Sequence, residues 1–197
     1  FFFNPYPAIR DSSTSRGLGD VYKRQVSATA KDILTIEIEG QASGVVEILL
    51  LPDVAPKHVE RIKTLAESGA YDNIVFHRVI EGFMAQTGDV QFGIKGSPDI
   101  VNAGRGRSKL PNLPAEFSTL EYTKGVVGMA RSSQPDSANS QFFIMFNDAP
   151  FLNGKYTIFG RVISGQNIID SIKLGTGNNG EVSNPDFMSK VYIKKDN

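Results

Sequence analysis

An arginine next to apolar side chains and a glutamine is the group in this sequence best suited to chemistry. The segment Val75–Asp89, VFHRVIEGFMAQTGD, carries Arg78 followed by Phe83, Met84 and Gln86. A guanidinium is costly to bury without a partner. Arg78 therefore extends to solvent, pairs with a carboxylate, or donates hydrogen bonds at the edge of an apolar cleft. The residue types alone leave these alternatives open.

The local pattern predicts how these residues are brought together. Apolar and polar residues alternate from 75 to 80, which is typical of a strand and places Arg78 and His77 on opposite faces. Glu81-Gly82 breaks the alternation, and a second short apolar run leads to Gln86. Two strands joined by a tight bend are predicted, so Arg78 and Gln86 should lie near each other.

Composition excludes several classes of function. The chain has 197 residues, 21 basic and 21 acidic, so its net charge of zero gives no sign of a nucleic-acid or membrane partner. It has no cysteine and only two histidines, which excludes thiol chemistry and a histidine-rich metal cluster. We predict that His58 is exposed and that His77 is structural. A serine hydrolase using His77 would lack the G-x-S-x-G signature.

The N-terminal region differs from the rest of the sequence. The first 25 residues lack periodicity, and the tract at 11–25 looks like translated adapter sequence, so we predict a disordered, non-native segment over residues 1–30. Ala28-x-Ala30 fits either the end of a secretory signal peptide or a plain linker. Residues 31–197 are predicted to form one domain.

The remaining pattern predicts a mainly β fold. About eight short strands are separated by turns with no βαβ rhythm, which favours a closed eight-stranded antiparallel barrel capped by two α-helices. The first helix should have Asp53 as its N-cap, Pro56 in its first turn and Gly69 as its C-terminal stop. Its apolar face should contain Val59, Ile62, Leu65 and Ala66. Ser164 should cap the second helix, which should extend through Leu174 with Ile168, Ile169 and Ile172 on its apolar face.

A glycine- and arginine-rich segment, Gly104-Arg-Gly-Arg-Ser108, resembles a phosphate-binding loop. The strand before it and the helix after it that such a loop requires are absent from the pattern. We therefore predict an ordered surface loop within residues 90–114.

Several long motifs together resemble the cyclophilins, the peptidyl-prolyl cis-trans isomerases, in their bacterial, alphaproteobacterial-like form. The resemblance covers roughly residues 33–193. The motifs that carry it are FHRVIEGFMAQTGD, GMAR at 128–131, SQFFI at 140–144 and FLNGKYTIFG at 151–160.

The resemblance implies an assignment for each site residue. Arg78 corresponds to the catalytic arginine of the family and Gln86 to the glutamine beside it. The residues corresponding to the substrate site are Phe83, Met84, Ala130, Arg131, Gln141, Phe143, Phe151, Leu152 and Tyr156. Metal and cofactor are not expected, and the implied partners are proline-containing polypeptides.

Two positions depart from the family pattern. Phe151 stands where the WLDGK-like motif has tryptophan, and Tyr156 where eukaryotic members usually have histidine. The isomerase chemistry stays plausible, but only weak cyclosporin binding is expected. We also expect a monomer, located in the periplasm or alternatively in the cytoplasm.

The resemblance implies an enzyme that accelerates X-Pro rotation in unfolded or extended segments and so assists protein folding. The chief alternative is a proline-peptide binding module or chaperone with little turnover. Retention of Arg78 and Gln86 favours the enzyme.

Overall fold

A computed structural model describes residues 32–177 and 179–194. The prediction of a disordered, non-native segment at residues 1–30 therefore lies outside the described residues.

Within those ranges, nine antiparallel strands form one sheet. In chain order they are β1 (Ile33–Glu39), β2 (Gly44–Leu50), β3 (Ile74–Val75), β4 (Arg78–Ile80), β5 (Met84–Thr87), β6 (Val126–Met129), β7 (Phe142–Met145), β8 (Ile158–Ser164) and β9 (Phe187–Ile193). Their order across the sheet is β3-β9-β1-β2-β8-β6-β7-β5-β4.

The predicted closed eight-stranded barrel is wrong, although the mainly β architecture with two helices is confirmed. The sheet is curled and its two edges are β3 and β4, which are separated along the chain by only Phe76 and His77. The predicted continuous strand is interrupted there, because the N–H of Phe76 donates to the carbonyl of Asp186 outside the strands. That interruption converts one strand of a closed barrel into two edge strands.

The first helix agrees with its prediction except at its N-cap, which is Ala55 instead of Asp53 because the chain turns through residues 52–54 before the helix begins. Helix α1 (Pro56–Glu67) has proline at its first position and buries Val59, Ile62 and Leu65 against β9 and β8. Ser68 ends it, and Gly69 follows with a φ of 71°. Apolar periodicity therefore predicted the buried face of this helix, and Gly69 predicted its end.

The second helix is shorter than predicted. Helix α2 (Gln166–Ile169) begins after Gly165, and Ser164 belongs to β8. In a longer helix the N–H of Lys173 would bond to the carbonyl of Ile169, but it donates to the buried carboxylate of Asp186 over 2.8 Å. A long-range hydrogen bond therefore replaces helix continuation. Among the described residues, neither helix is long and apolar enough to cross a membrane.

The apolar side chains of the described residues form two clusters. The larger one lies between α1 and the sheet and contains most of the buried aliphatic residues. The smaller one contains Met84, Tyr122, Val126, Phe143, Met145, Ala149, Leu152 and Ile158. Several side chains of the predicted substrate site belong to this smaller cluster, so the core itself supports the site.

Candidate active site

One cleft of about 410 Å³ brings together the predicted site residues. It is lined by Arg78, Phe83, Met84, Gln86, Ala130, Arg131, Phe143, Phe151, Leu152, Lys155 and Tyr156. Of the predicted residues only Gln141 is outside this lining, and it contacts Gln86 from behind. Residues separated by as many as 78 positions therefore meet at one surface.

The floor of the cleft is apolar and rigidly packed. Phe143 on β7 is 5% exposed, and its ring stacks on Tyr122 with centroids 5.8 Å apart. Tyr156 contacts Phe143 edge-on, also at 5.8 Å. Met84 and Leu152 are buried beside it. A shallow apolar socket of this kind suits a small ring such as the pyrrolidine of proline.

The rim of the cleft contains an exposed aromatic side chain. Phe151 is 60% exposed, and its ring lies 5.5 Å from that of Phe83. An apolar ring left this open can cover a bound peptide that extends past the socket.

Arg78 begins β4, directly opposite Gln86 on β5. Its Nε donates to the carbonyl of Asn179 over 3.0 Å, and its Nη1 donates to Oε1 of Gln86 over 3.2 Å. A guanidinium has five N–H groups, so the remaining three have no acceptor among the described residues. Arg78 also has no ion-pair partner within that part of the chain. The guanidinium is thus held at two points and keeps donors free toward the cleft.

Burial lowers the pKa of Arg78, and the neighbouring Tyr156 opposes that change only in part. The ordinary pKa of arginine is so high that the group stays charged at any working pH. Arg78 can therefore donate hydrogen bonds and positive potential, but it cannot give up a proton.

Arg131 is engaged in a different way. Its Nε and Nη2 donate to the carbonyl of Lys155, and its Nη1 donates to the carbonyls of Ser132 and Ser133. Its Cζ lies 4.4 Å from the ring centroid of Tyr156. Because four of its five N–H groups already have acceptors, Arg131 forms a wall of the cleft, whereas Arg78 uses only two of its five and has more donors available for chemistry.

Neither histidine takes part in the cleft, and no serine among the described residues lines it. Burial lowers the pKa of His77 to about 4 despite the nearby carboxylate of Asp89. This arrangement removes the basis for a hydrolase using His77.

The prediction that His58 is exposed is wrong. It is fully buried, and its Nδ1 lies 2.6 Å from Oε2 of Glu116. Glu116 also accepts the N–H groups of Lys57 and His58, which fixes the start of α1 to the segment after residue 114.

Comparison with known proteins identifies the family. The family model for "Cyclophilin type peptidyl-prolyl cis-trans isomerase/CLD" matches residues 33–195. This chain belongs to the cyclophilins. This chain is 52% identical over 172 residues to a "Probable peptidyl-prolyl cis-trans isomerase" of Brucella suis. The alignment covers 86% of this chain and 88% of the relative. This cyclophilin is a peptidyl-prolyl cis-trans isomerase, and the family's general role is to assist protein folding.

Solved cyclophilin structures share the fold. AquaCyp293 from Hirschia baltica is 24% identical with a TM-score of 0.68, covering 84% of this cyclophilin and 75% of that chain. A Cryptosporidium parvum cyclophilin type peptidyl-prolyl cis-trans isomerase, crystallised in the presence of the dipeptide Ala-Pro, is 26% identical with a TM-score of 0.69. That alignment covers 83% of this cyclophilin and 99% of the other chain.

Sequence reasoning missed three residues of the site. Asn179 holds Arg78 through its backbone carbonyl, Lys155 lines the cleft, and Tyr122 supports Phe143 from below. A backbone carbonyl leaves no mark on residue type, so Asn179 had no sequence signal. The apolar spacing around Tyr122 could have indicated a buried ring.

Proposed function

We propose that this cyclophilin catalyses X-Pro rotation in the cleft lined by Arg78, with the proline ring held on the Phe143 floor. The observation that carries the proposal is a charged, half-buried guanidinium with free donors beside an apolar socket. Bound proline would place its ring nitrogen near that guanidinium. Rotation of the amide would then proceed on the solvent side of the ring.

The energetics of the reaction fit this arrangement. Rotation about an X-Pro bond has a barrier of about 18–20 kcal/mol and takes tens to hundreds of seconds unaided. Reaching milliseconds requires removing roughly 7 kcal/mol, at about 1.4 kcal/mol per tenfold. No bond to the enzyme and no proton transfer is needed, so a chain without cysteine can perform the reaction.

Arg78 supplies selectivity for the twisted state. The nitrogen of a planar amide is a poor hydrogen-bond acceptor, whereas the twisted amide has a pyramidal, basic prolyl nitrogen. A donor aimed at that nitrogen stabilises the transition state more than the ground state, which is the condition for raising kcat.

Backbone groups after β6 suit an extended peptide. The N–H of Ala130 is used by the carbonyl of Gln141. The carbonyl of Ala130 and the N–H of Arg131 have no hydrogen-bond partner in the described part of the chain, and both residues line the cleft. One acceptor and one donor can hold a substrate backbone with little regard to its side chains.

We therefore propose proline-containing polypeptides, in unfolded or extended form, as the substrates. The Cryptosporidium parvum cyclophilin, which was crystallised in the presence of the dipeptide Ala-Pro, supports this substrate class.

A proline-peptide binding module with little turnover would use the same cleft. The free donors of Arg78 favour the enzyme, because binding a planar prolyl peptide needs no donor at the nitrogen.

A protease-coupled assay on an X-Pro peptide, combined with amide chemical-shift mapping of the same peptide, tests the proposed site. We expect catalysis, with the largest shifts at residues lining the cleft. Turnover with shifts elsewhere would overturn the proposed site, and shifts at the cleft without turnover would identify a binding module.

We further propose that the protein acts as a monomer in the periplasm, with the cytoplasm as the alternative. The Ala28-x-Ala30 pattern supports export. Sequencing the first residues of the native gene product, purified from fractionated cells, tests the location: a periplasmic protein starting near residue 31 is expected, and an uncleaved cytoplasmic one would contradict it.

Size-exclusion chromatography with light scattering tests the oligomeric state.

A further inference from the structure

Asp89 is a buried carboxylate for which the proposed chemistry has no direct use. It follows β5 and is fully buried, and in the described part of the chain no lysine or arginine pairs with it. Its Oδ1 accepts the N–H groups of Gln91 and Phe92 at 3.0 and 2.9 Å. Its Oδ2 accepts those of Gly104 and Gly106 at 2.7 and 2.8 Å. Four backbone donors replace water around this charge.

The segment that resembles a phosphate-binding loop is therefore a loop that binds the chain's own anion. Glycine is required at two of its positions because other side chains lie too close to the backbone there for a Cβ. A Cβ at Gly106 would overlap Oδ1 of Asp89 and lie 2.7 Å from Cβ of Gln91. Gly104 has a φ of 96°, and a Cβ there would lie 2.9 Å from Cδ2 of His77. The carboxylate and the glycines together fix the path of the loop.

The same two glycines also contact the active site. The carbonyls of Gly104 and Gly106 both accept from Nε2 of Gln141, at 3.0 and 2.8 Å. The Oε1 of Gln141 accepts from Nε2 of Gln86 at 2.9 Å, and Oε1 of Gln86 accepts from Arg78. A continuous path of hydrogen bonds thus runs from the Asp89 loop to the guanidinium.

This path has a defined polarity. A glutamine amide can rotate by 180°, which exchanges its donor and acceptor ends. Two carbonyls facing Gln141 require its NH₂ there, so its oxygen must face Gln86. The NH₂ of Gln86 then faces Gln141, and its oxygen faces Arg78. If the loop carbonyls moved away, both amides could reverse and Gln86 would present N–H groups to a guanidinium that is itself only a donor.

We propose that Asp89 is a positioning residue for catalysis, acting through the Gly104–Gly106 loop, Gln141 and Gln86 to hold Arg78 in its productive orientation. This inference rests on the proposed role of Arg78. It predicts that Asp89 contributes to kcat without touching the substrate.

The test is Asp89→Asn, which keeps the shape of the side chain but offers one acceptor oxygen and turns an NH₂ toward two of the four backbone donors. We expect kcat to fall about tenfold, since misplacing a catalytic group can cost up to about 10²-fold. KM should change less than about twofold, because the apolar floor that holds the ground state is untouched. NMR exchange measurements on an X-Pro peptide separate the two constants. The side-chain NH₂ resonances of Gln86 and Gln141 should shift in the same variant.

A double-mutant cycle distinguishes positioning from plain stability. In a Gln141→Leu background the path is already broken, so adding Asp89→Asn should lower kcat by less than about twofold. An equal loss of kcat in both backgrounds, or a lower Tm with unchanged kcat, would overturn the proposal. Asp99→Asn, which removes an exposed charge from the same segment, serves as the control and should leave kcat unchanged.

Should Asp89→Asn not fold, Gly104→Ala provides the same comparison, because it shifts one of the two loop carbonyls while leaving the carboxylate in place. The proposed function fails separately: wild-type turnover in Arg78→Ala would reject the role of Arg78. Loss of activity in Arg78→Ala with unchanged kcat in the Asp89 and Gly104 variants would reject only the positioning role.

Discussion

Arg78 and Gln86 face each other across the β4–β5 hairpin, and Nη1 of Arg78 donates to Oε1 of Gln86 over 3.2 Å. The pairing of β4 with β5 thus places the Arg78 guanidinium beside the side-chain oxygen of Gln86 that orients it. The strand register fixes the separation of the two backbones, so the guanidinium is positioned before any substrate arrives.

Replacing Arg78 by alanine should lower kcat/KM at least about tenfold, which corresponds to about 1.4 kcal/mol of lost transition-state stabilisation. Arg78→Lys should recover little, because an ammonium lacks the fork that holds Asn179 and Gln86 while leaving donors free. The protease-coupled assay measures both variants, with circular dichroism and Tm as controls of folding. Wild-type-like turnover in the folded alanine variant would reject the role of Arg78.

Two neighbouring aromatics on β7 provide a matched test of the socket. Phe143 faces the cleft, whereas Phe142 faces the larger core cluster and contacts Tyr71 edge-on at 5.6 Å. We expect Phe143→Leu to raise KM several-fold and Phe142→Leu to leave KM unchanged. Both should lower the free energy of unfolding by about 1–3 kcal/mol, because each leaves a smaller side chain in a packed site. Equal KM effects from the two variants would contradict the assignment of the floor.

Acid should destabilise the protein through its two histidines. Burial lowers the pKa of His58 more than Glu116 raises it, and lowers the pKa of His77 to about 4. Below about pH 6.5 the two histidines of the unfolded chain bind protons, whereas those of the folded chain stay neutral until the pH reaches their lowered pKa values. The folded state is therefore stabilised in full above about pH 6.5, and this stabilisation is lost as the pH falls toward 4. His77 contributes up to about 3 kcal/mol of it to the free energy of unfolding.

Chemical denaturation between pH 7 and pH 4.5 checks this expectation. The pH dependence should weaken in His77→Gln, which removes one titrating group. Imidazole NMR titration of the folded protein measures the two groups directly, and a midpoint near the ordinary value for His77 would contradict the prediction.

Cyclosporin should bind weakly, and Phe151→Trp should tighten it. Phe151 is exposed at the rim, where an indole adds apolar area and an N–H donor. We expect about a tenfold lower inhibition constant in the variant, corresponding to about 1.4 kcal/mol. Unchanged kcat/KM of Phe151→Trp on an X-Pro peptide would show that the cleft is intact. Unchanged inhibition by cyclosporin would exclude residue 151 as the cause of weak cyclosporin binding.

Local pattern predicted the parts of the fold that depend on local interactions. The β4–β5 hairpin followed from alternation and a turn at Glu81-Gly82, and the buried face of α1 followed from apolar spacing. The burial of His58 was missed because its partner, Glu116, lies 58 positions away. The length of α2 was missed for the same reason, since Asp186 captures the N–H of Lys173.

By itself the sequence determined the family and the type of chemistry, and it predicted Arg78 as the catalytic arginine, because ordered motifs and residue types carry that information. Only the tertiary structure decided which donors stay free. Arg131 has acceptors for four of its five N–H groups, two of them donating to the Lys155 carbonyl. Arg78 is held by Asn179 and Gln86, with three N–H groups free of acceptors among the described residues. Gln86 contributes a side-chain oxygen from the paired strand, but the backbone carbonyls of Lys155 and Asn179 lie 24 and 101 positions from the arginines that they bind. Their positions depend on loop paths, which no local periodicity encodes.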